Sequence, residues 1–167
     1  MVLIGLGSNR GDSVQIVTEA MSRLAMFADG AFHCSHLWRT SPVDCPAGSA
    51  DFINAAVAFQ VQSSLTPERL LAALKKLERE YGRVVDSVRN APRELDLDLL
   101  LFSEQVRDAA DFVLPHPRAV NRLFVLAPAA EVLPDAIWPG TNLSVVELLN
   151  RLDSDEQVEC LEIRALA

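Results

Sequence analysis

The chain has little that would tie it together covalently. Its three cysteines, Cys34, Cys45 and Cys160, are odd in number and show no paired metal spacing. They read as free thiols of a reducing compartment, so the expected location is cytoplasmic. Positive charge is in deficit too: 15 Lys and Arg against 23 Asp and Glu leave a net charge of -8, which argues against a general nucleic-acid partner. No apolar run approaches the roughly 20 residues of a membrane span. The first such run, Val2 to Leu6, is too short for a signal peptide and has no basic region before it. Repeats, low-complexity tracts and interdomain linkers are missing. So is a Walker A lysine motif, and Gly5, Gly7 and Gly11 of "GLGSNRG" do not keep the G-x-G-x-x-G spacing. Gly7 and Ser8 read instead as a tight turn leading to a helix cap. The expectation is one cytoplasmic domain, residues 1–167, without a membrane or nucleic-acid partner.

What is present is a regular alternation of elements. Val2 to Leu6 reads as a buried strand. Asp12 or Ser13 caps a helix carrying Val14, Val17, Met21 and Leu24 at helical spacing. The run "AFHCSHLWRT" reads as a strand, "SPVDCPAGSA" as a loop, and "FINAAVAFQVQ" as a second strand that can pair with the first in a long-looped hairpin. The clearest helix is "LTPERLLAALKKLEREYG", with Thr66 at the N-cap, Pro67 in the first turn and Gly82 past the end. A loop, "RVVDSVRNAP", precedes a strand ending at Phe102. Beyond it, "LPHPRAVNRLFVLAPAAEV" has Pro at both ends of a short helical stretch, "NLSVVELLNRL" is amphipathic, and "VECLEI" reads as a closing strand. The order strand, helix, strand, strand, helix, strand predicts an α+β sandwich of ferredoxin-like type, a mainly antiparallel sheet with helices packed on it.

The strand "PRELDLDLLLF" poses a chemical question. Asp96 and Asp98 alternate with Leu95, Leu97 and Leu99, so both carboxylates stand on one face. Like charges this close disfavour each other's ionisation, and something cationic must compensate. A magnesium ion would, since it takes a few hard carboxylates and completes its octahedron with phosphate oxygens and water. Arginine pairing on a solvated strand would do so equally well, and the triplet alone does not choose. Its surroundings favour the metal: Arg83, Arg89 and Arg93 precede it, and His116, Arg118 and Arg122 follow. Arginine forks suit bidentate phosphate binding. A nucleoside triphosphate site for phosphoryl transfer needs mainly positioning and charge neutralisation. Trp38, Phe52 and Phe124 fit a core as readily as a ligand pocket. Asn54, an amide inside an apolar strand, needs polar partners, and a heterocycle with donors and acceptors would supply them.

These segments together resemble the 6-hydroxymethyl-7,8-dihydropterin pyrophosphokinase family of folate biosynthesis. "GLGSNRGD", "WRTSPV", "DFINAAV", "LLAALKKLEREYGR", "APRELDLDLLLF" and "LPHPRAVNRLFVLAP" carry the likeness over nearly the whole chain. The resemblance implies a ferredoxin-like fold and transfer of the pyrophosphoryl group of ATP to the hydroxymethyl group of the reduced pterin, giving AMP. It implies two Mg2+ ions held by Asp96 and Asp98, with Arg83 and Arg93 as further catalytic residues. The pterin pocket maps onto Thr40, Val43, Phe52, Asn54 and Phe124. The ATP side maps onto Glu78, Arg83, Arg89, Arg93, Leu99, His116 and Arg122. ATP and the pterin are the implied partners, and the chain is expected to act as a monomer.

Several positions depart from the family pattern. Val85 and Asn90 replace an arginine and a tryptophan in the loop before Arg93. Lys75 stands where many members have glutamine, Asp111 and Val113 where some have a basic residue and a hydroxyl, and Phe52 replaces a frequent tyrosine. A divergent binding protein with low turnover, or the same chemistry on another pterin alcohol, are the rival readings.

Overall fold

Alternation in the first strand sets the layers. In β1 (Val2–Ser8) Val2, Ile4 and Leu6 face one side while Leu3, Gly5 and Gly7 face the other. The structure is a computed structural model that describes residues 1–42, 44–82 and 93–164. After β1 come α1 (Ser13–Leu24), β2 (Phe32–Cys34), β3 (His36–Thr40), β4 (Phe52–Phe59), α2 (Pro67–Glu80) and β5 (Asp96–Phe102). The remainder comprises β6 (Arg107–Ala109), β7 (Phe112–Leu114), α3 (Leu123–Val132), β8 (Ile137–Trp138), β9 (Leu143–Ser144), α4 (Val145–Arg151) and β10 (Val158–Arg164).

The main sheet is antiparallel, in the order β10-β3-β4-β1-β5, with β2 also paired to β4. This is the expected ferredoxin-like α+β arrangement, widened at one edge by β10. Val2, Ile4, Leu6, Val57 and Phe59 bury against Val17, Met21 and Leu24 of α1 and Leu70, Leu74 and Leu77 of α2. On the opposite face Leu3, Ala56, Ala58 and Leu100 meet Leu126, Ala129 and Val132 of α3 and Val145 of α4. Helices therefore cover one face fully and the other only in part. Among the described residues no helix is long and apolar enough to cross a membrane.

Local signals hold where side chains close on their own backbone. The Asp12 carboxylate accepts from the Gln15 N–H (3.1 Å), the Thr66 hydroxyl accepts from the Arg69 N–H (3.3 Å), and Gly82 ends its helix at φ 90°. Distant partners change four other readings. β1 runs on through Gly7 and Ser8, because Gly7 pairs with both Asn54 and Asp96; ladders on both sides override the turn tendency of glycine. The run 31–40 breaks at Ser35, whose N–H donates to the Ala56 carbonyl while its Oγ accepts the Ala56 N–H, both at 2.9 Å. A side chain thus takes the place of a backbone rung. β4 ends at Phe59 rather than reaching Gln62. Pro128 lies inside α3 rather than at its end. Its ring removes the bond to the Phe124 carbonyl, and burial of Leu126, Ala129 and Val132 sustains the helix beyond it.

Helix α3 is held at both ends. Near its start the Phe124 N–H donates to Glu156 (3.2 Å). Near its finish Glu131 accepts from the His36 N–H (3.1 Å), the His36 Nδ1 (2.7 Å) and the Trp38 Nε1 (2.5 Å), which tie α3 to β3.

Candidate active site

The half of the sheet that α3 and α4 leave open carries the polar side chains. Leu95, just before β5, and Leu97 and Leu99 on it are buried, while the side chains of Asp96 and Asp98 keep 26% and 37% of their surface exposed. The alternation read from the sequence thus puts both carboxylates on one accessible face. A basic side chain stands beside each: Arg93 Nη1 lies 3.0 Å from Asp96 Oδ1, and His116 Nε2 lies 3.8 Å from Asp98 Oδ1. Burial, and after it the neighbouring Asp96 charge, pushes the Asp98 carboxyl above the usual carboxylate range. Burial holds the His116 imidazole below its ordinary value, with Asp98 pulling the other way. Arg122 is also lowered, by burial first and by Arg118 second.

Gly7 forms the floor, while the Leu100 side chain covers Gly5, 3.4 Å from where a Cβ would lie. Gly5 is the register partner of Asp98 on β5, and Gly7 of Asp96; on its other side Gly7 faces Asn54 of β4. A Cβ on Gly7 would lie 2.9 Å from Asn54 Oδ1, so no larger residue fits without displacing that amide. Asn54 is only 5% exposed, and its Nδ2 donates to Thr40 Oγ1 at 2.7 Å. Phe52, half-buried, is the register partner of Thr40. Phe124, also half-buried, has the Arg122 guanidinium 5.4 Å from its ring centroid. Trp38 belongs with the Glu131 anchor.

Beside Asp98 a cleft of about 270 Å³ opens between α2 and the segment after β5, lined among others by Lys75, Leu99, Asp111, Val113 and His116. Glu78 sits behind this wall, fully buried. Its Oε1 accepts from the Leu97 N–H (2.7 Å) and from Lys75 Nζ (3.2 Å). Glu78 thus caps the outer edge of β5 and steadies the strand that carries the aspartates. Leu99 is at once a core residue and part of the cleft wall.

The structure therefore brings Thr40, Phe52, Asn54, Arg93, Asp96, Asp98, His116, Arg122 and Phe124 to one region, sets Leu99 into its wall and buries Glu78 behind that wall. Val43, Arg83 and Arg89 lie outside the described residues, as do Val85 and Asn90. Gly7, Glu131 and Glu156 escaped the sequence reading. Gly7 belongs to a motif set aside as a turn, and only its cross-strand partners reveal its use.

Known proteins give an independent view. The family model described as 7,8-dihydro-6-hydroxymethylpterin-pyrophosphokinase (HPPK) matches residues 3–134. A 2-amino-4-hydroxy-6-hydroxymethyldihydropteridine pyrophosphokinase of Synechocystis is 32% identical over 166 residues, covering 99% of this chain and 80% of that protein. The Bacillus subtilis protein of the same name is 39% identical over 130 residues, covering 77% and 75%. The folic acid synthesis protein fol1 of Pneumocystis carinii is 32% identical over 154 residues; the match covers 90% of this chain and only 20% of that longer one. In fold, the chain matches Plasmodium falciparum HPPK-DHPS with a TM-score of 0.67 at 12% identity, covering 90% of this chain and 42% of that one.

Proposed function

Because the chain belongs to the 7,8-dihydro-6-hydroxymethylpterin-pyrophosphokinase (HPPK) family, a family of ATP-dependent pyrophosphokinases, we propose that it runs that reaction itself. The hydroxymethyl oxygen of 6-hydroxymethyl-7,8-dihydropterin attacks the β-phosphorus of ATP. The bond from that phosphorus to the α–β bridging oxygen breaks, AMP leaves, and the attacking hydroxyl loses its proton.

One observation carries the reading. Gly7 has Asn54 as its register partner on one side and Asp96 on the other. Two strand spacings of about 4.8 Å put the amide and the carboxylates roughly 10 Å apart over a floor without side chains. A flat bicyclic ring whose polar edge meets Asn54 would lie on that floor with its hydroxymethyl arm directed at the aspartates. Phe52 and Phe124 would flank the ring. Thr40 holds the Asn54 amide through its hydroxyl, which leaves the carbonyl side of Asn54 to accept from the heterocycle.

The donor set fits Mg2+: two same-face carboxylates, of which Asp98 is pushed towards its neutral form by burial and then by the Asp96 charge, so that a bound cation would favour its ionised form. Asp96 and Asp98 would hold two ions, which supply charge neutralisation at the phosphates. Arg93 and Arg122 bring fixed positive charge to the phosphate oxygens. His116, whose imidazole burial holds below its ordinary value, presents a further hydrogen bond. The cleft beside Leu99 takes the purine base. Small molecules are the partners in this reading, and the protein acts as a cytoplasmic monomer.

The test is a coupled assay with ATP, magnesium and the pterin. The expected result is AMP release that depends on the pterin. ATP left intact under saturating conditions would reject the reading and leave a binding protein in its place.

A further inference from the structure

Asn9 follows β1 directly, two residues past Gly7, where β1 and the chain leading into β5 still lie side by side. It is 6% exposed. Its backbone N–H donates to the Arg93 carbonyl (3.2 Å), and its Oδ1 accepts from the Arg93 N–H (3.0 Å). Both backbone groups of Arg93 are thereby clasped by one residue. The Arg93 N–H can only donate, so the oxygen of the amide must face it, and this fixes which end of the side chain is Nδ2. That Nδ2 is buried and has no hydrogen-bond partner. Buried polar groups in folded proteins are almost always satisfied, and an orphaned donor beside the arginine that pairs with Asp96 points to a ligand atom that accepts. Phosphate oxygens accept without donating, and the guanidinium of the same Arg93, which extends to Asp96, is suited to them.

We propose that Asn9 is a further residue of the site. It clasps the Arg93 backbone, and its Nδ2 donates to a phosphate oxygen of the bound nucleotide. This rests on the pyrophosphokinase reading, because that reading places a triphosphate here.

Two variants test it, each titrated calorimetrically with a non-hydrolysable ATP analogue in magnesium and, separately, with the pterin. Asn9→Asp keeps an oxygen for the Arg93 N–H and removes the donor. Asn9→Ala removes both without adding charge. Both are expected to bind the analogue about 10- to 100-fold more weakly, the loss of one charge-assisted hydrogen bond, while pterin affinity stays within about twofold. Asn9→Ala is also expected to melt at a lower temperature than wild type, since the clasp is lost. Analogue affinity unchanged in folded Asn9→Asp overturns the proposal. So does a loss confined to Asn9→Asp, because repulsion by the new charge then explains it. A wild type that binds the analogue but makes no AMP refutes the reaction and leaves the Asn9 contact to be decided by these affinities. A wild type that binds no nucleotide overturns both.

Discussion

At the scale of single residues, the site is built from groups held in conditions they would not choose in water. Asp98 is the clearest case. Its carboxyl is pushed up by burial and by Asp96, so ionising it opposes folding. That opposition is absent at about pH 3, where the side chain is protonated folded and unfolded, and grows as pH rises through its unfolded value near 4. Asp98→Asn should therefore unfold at a higher temperature than wild type at neutral pH, with the difference fading towards pH 3. The same variant should lose turnover by about 100-fold or more, since a proposed metal ligand is gone. A melting series across pH, paired with the AMP assay, checks both halves; a variant that is less stable at pH 7 than at pH 3 relative to wild type would refute the charge argument. Gly7 gives the complementary case of a group that must be absent. Gly7→Ala drives a methyl to 2.9 Å from Asn54 Oδ1. The expected outcome is a stability loss of about 1–3 kcal/mol and pterin binding weaker by about tenfold. Retained pterin affinity would show that Asn54 does not read the ring.

Among elements, α3 decides how the site is held. It carries Phe124 and follows Arg122, and it packs on the same sheet face that bears Asn54. Its grip on β3 is the Glu131 carboxylate, which receives His36 and Trp38. Glu131→Ala leaves those donors without their acceptor and should destabilise the protein by about 1–3 kcal/mol, read by denaturant titration. Turnover should fall through Phe124 and Arg122 although Glu131 lies far along the helix from both. Full activity with a lowered melting temperature would make the anchor purely structural. None of this could be read from the linear pattern. Thr66, Asp12 and Gly82 were legible because a cap closes within three residues of its own chain. Asp96 and Asp98 were legible because a period of two fixes their face whatever the sheet does. The Ser35 break depends on Ala56, the grip of α3 on residues 36 and 38, and its start on Glu156. Sequence spacing does not encode such pairs.

At the scale of the molecule, one face of the sheet is sealed by α1 and α2 and the other is divided between α3 with α4 and open floor. The βαββαβ order made the first layer and the sheet readable. The second helical layer was not, because the apolar α3 has no single face to betray its partner and Pro128 suggested an ending. Its position matters for function, since it confines the polar residues to a single floor that joins Asn54 to Asp96 and Asp98.

In the proposed reaction two phosphoryl groups travel together to the pterin, as the name of the matched family states. Phosphorus NMR of the reaction mixture tests this most directly. The account predicts AMP and a pterin diphosphate appearing in equal amounts as ATP declines, with both the β- and γ-phosphorus of ATP found in the pterin product. ADP together with a pterin monophosphate, or ATP hydrolysis without any phosphorylated pterin, would contradict it.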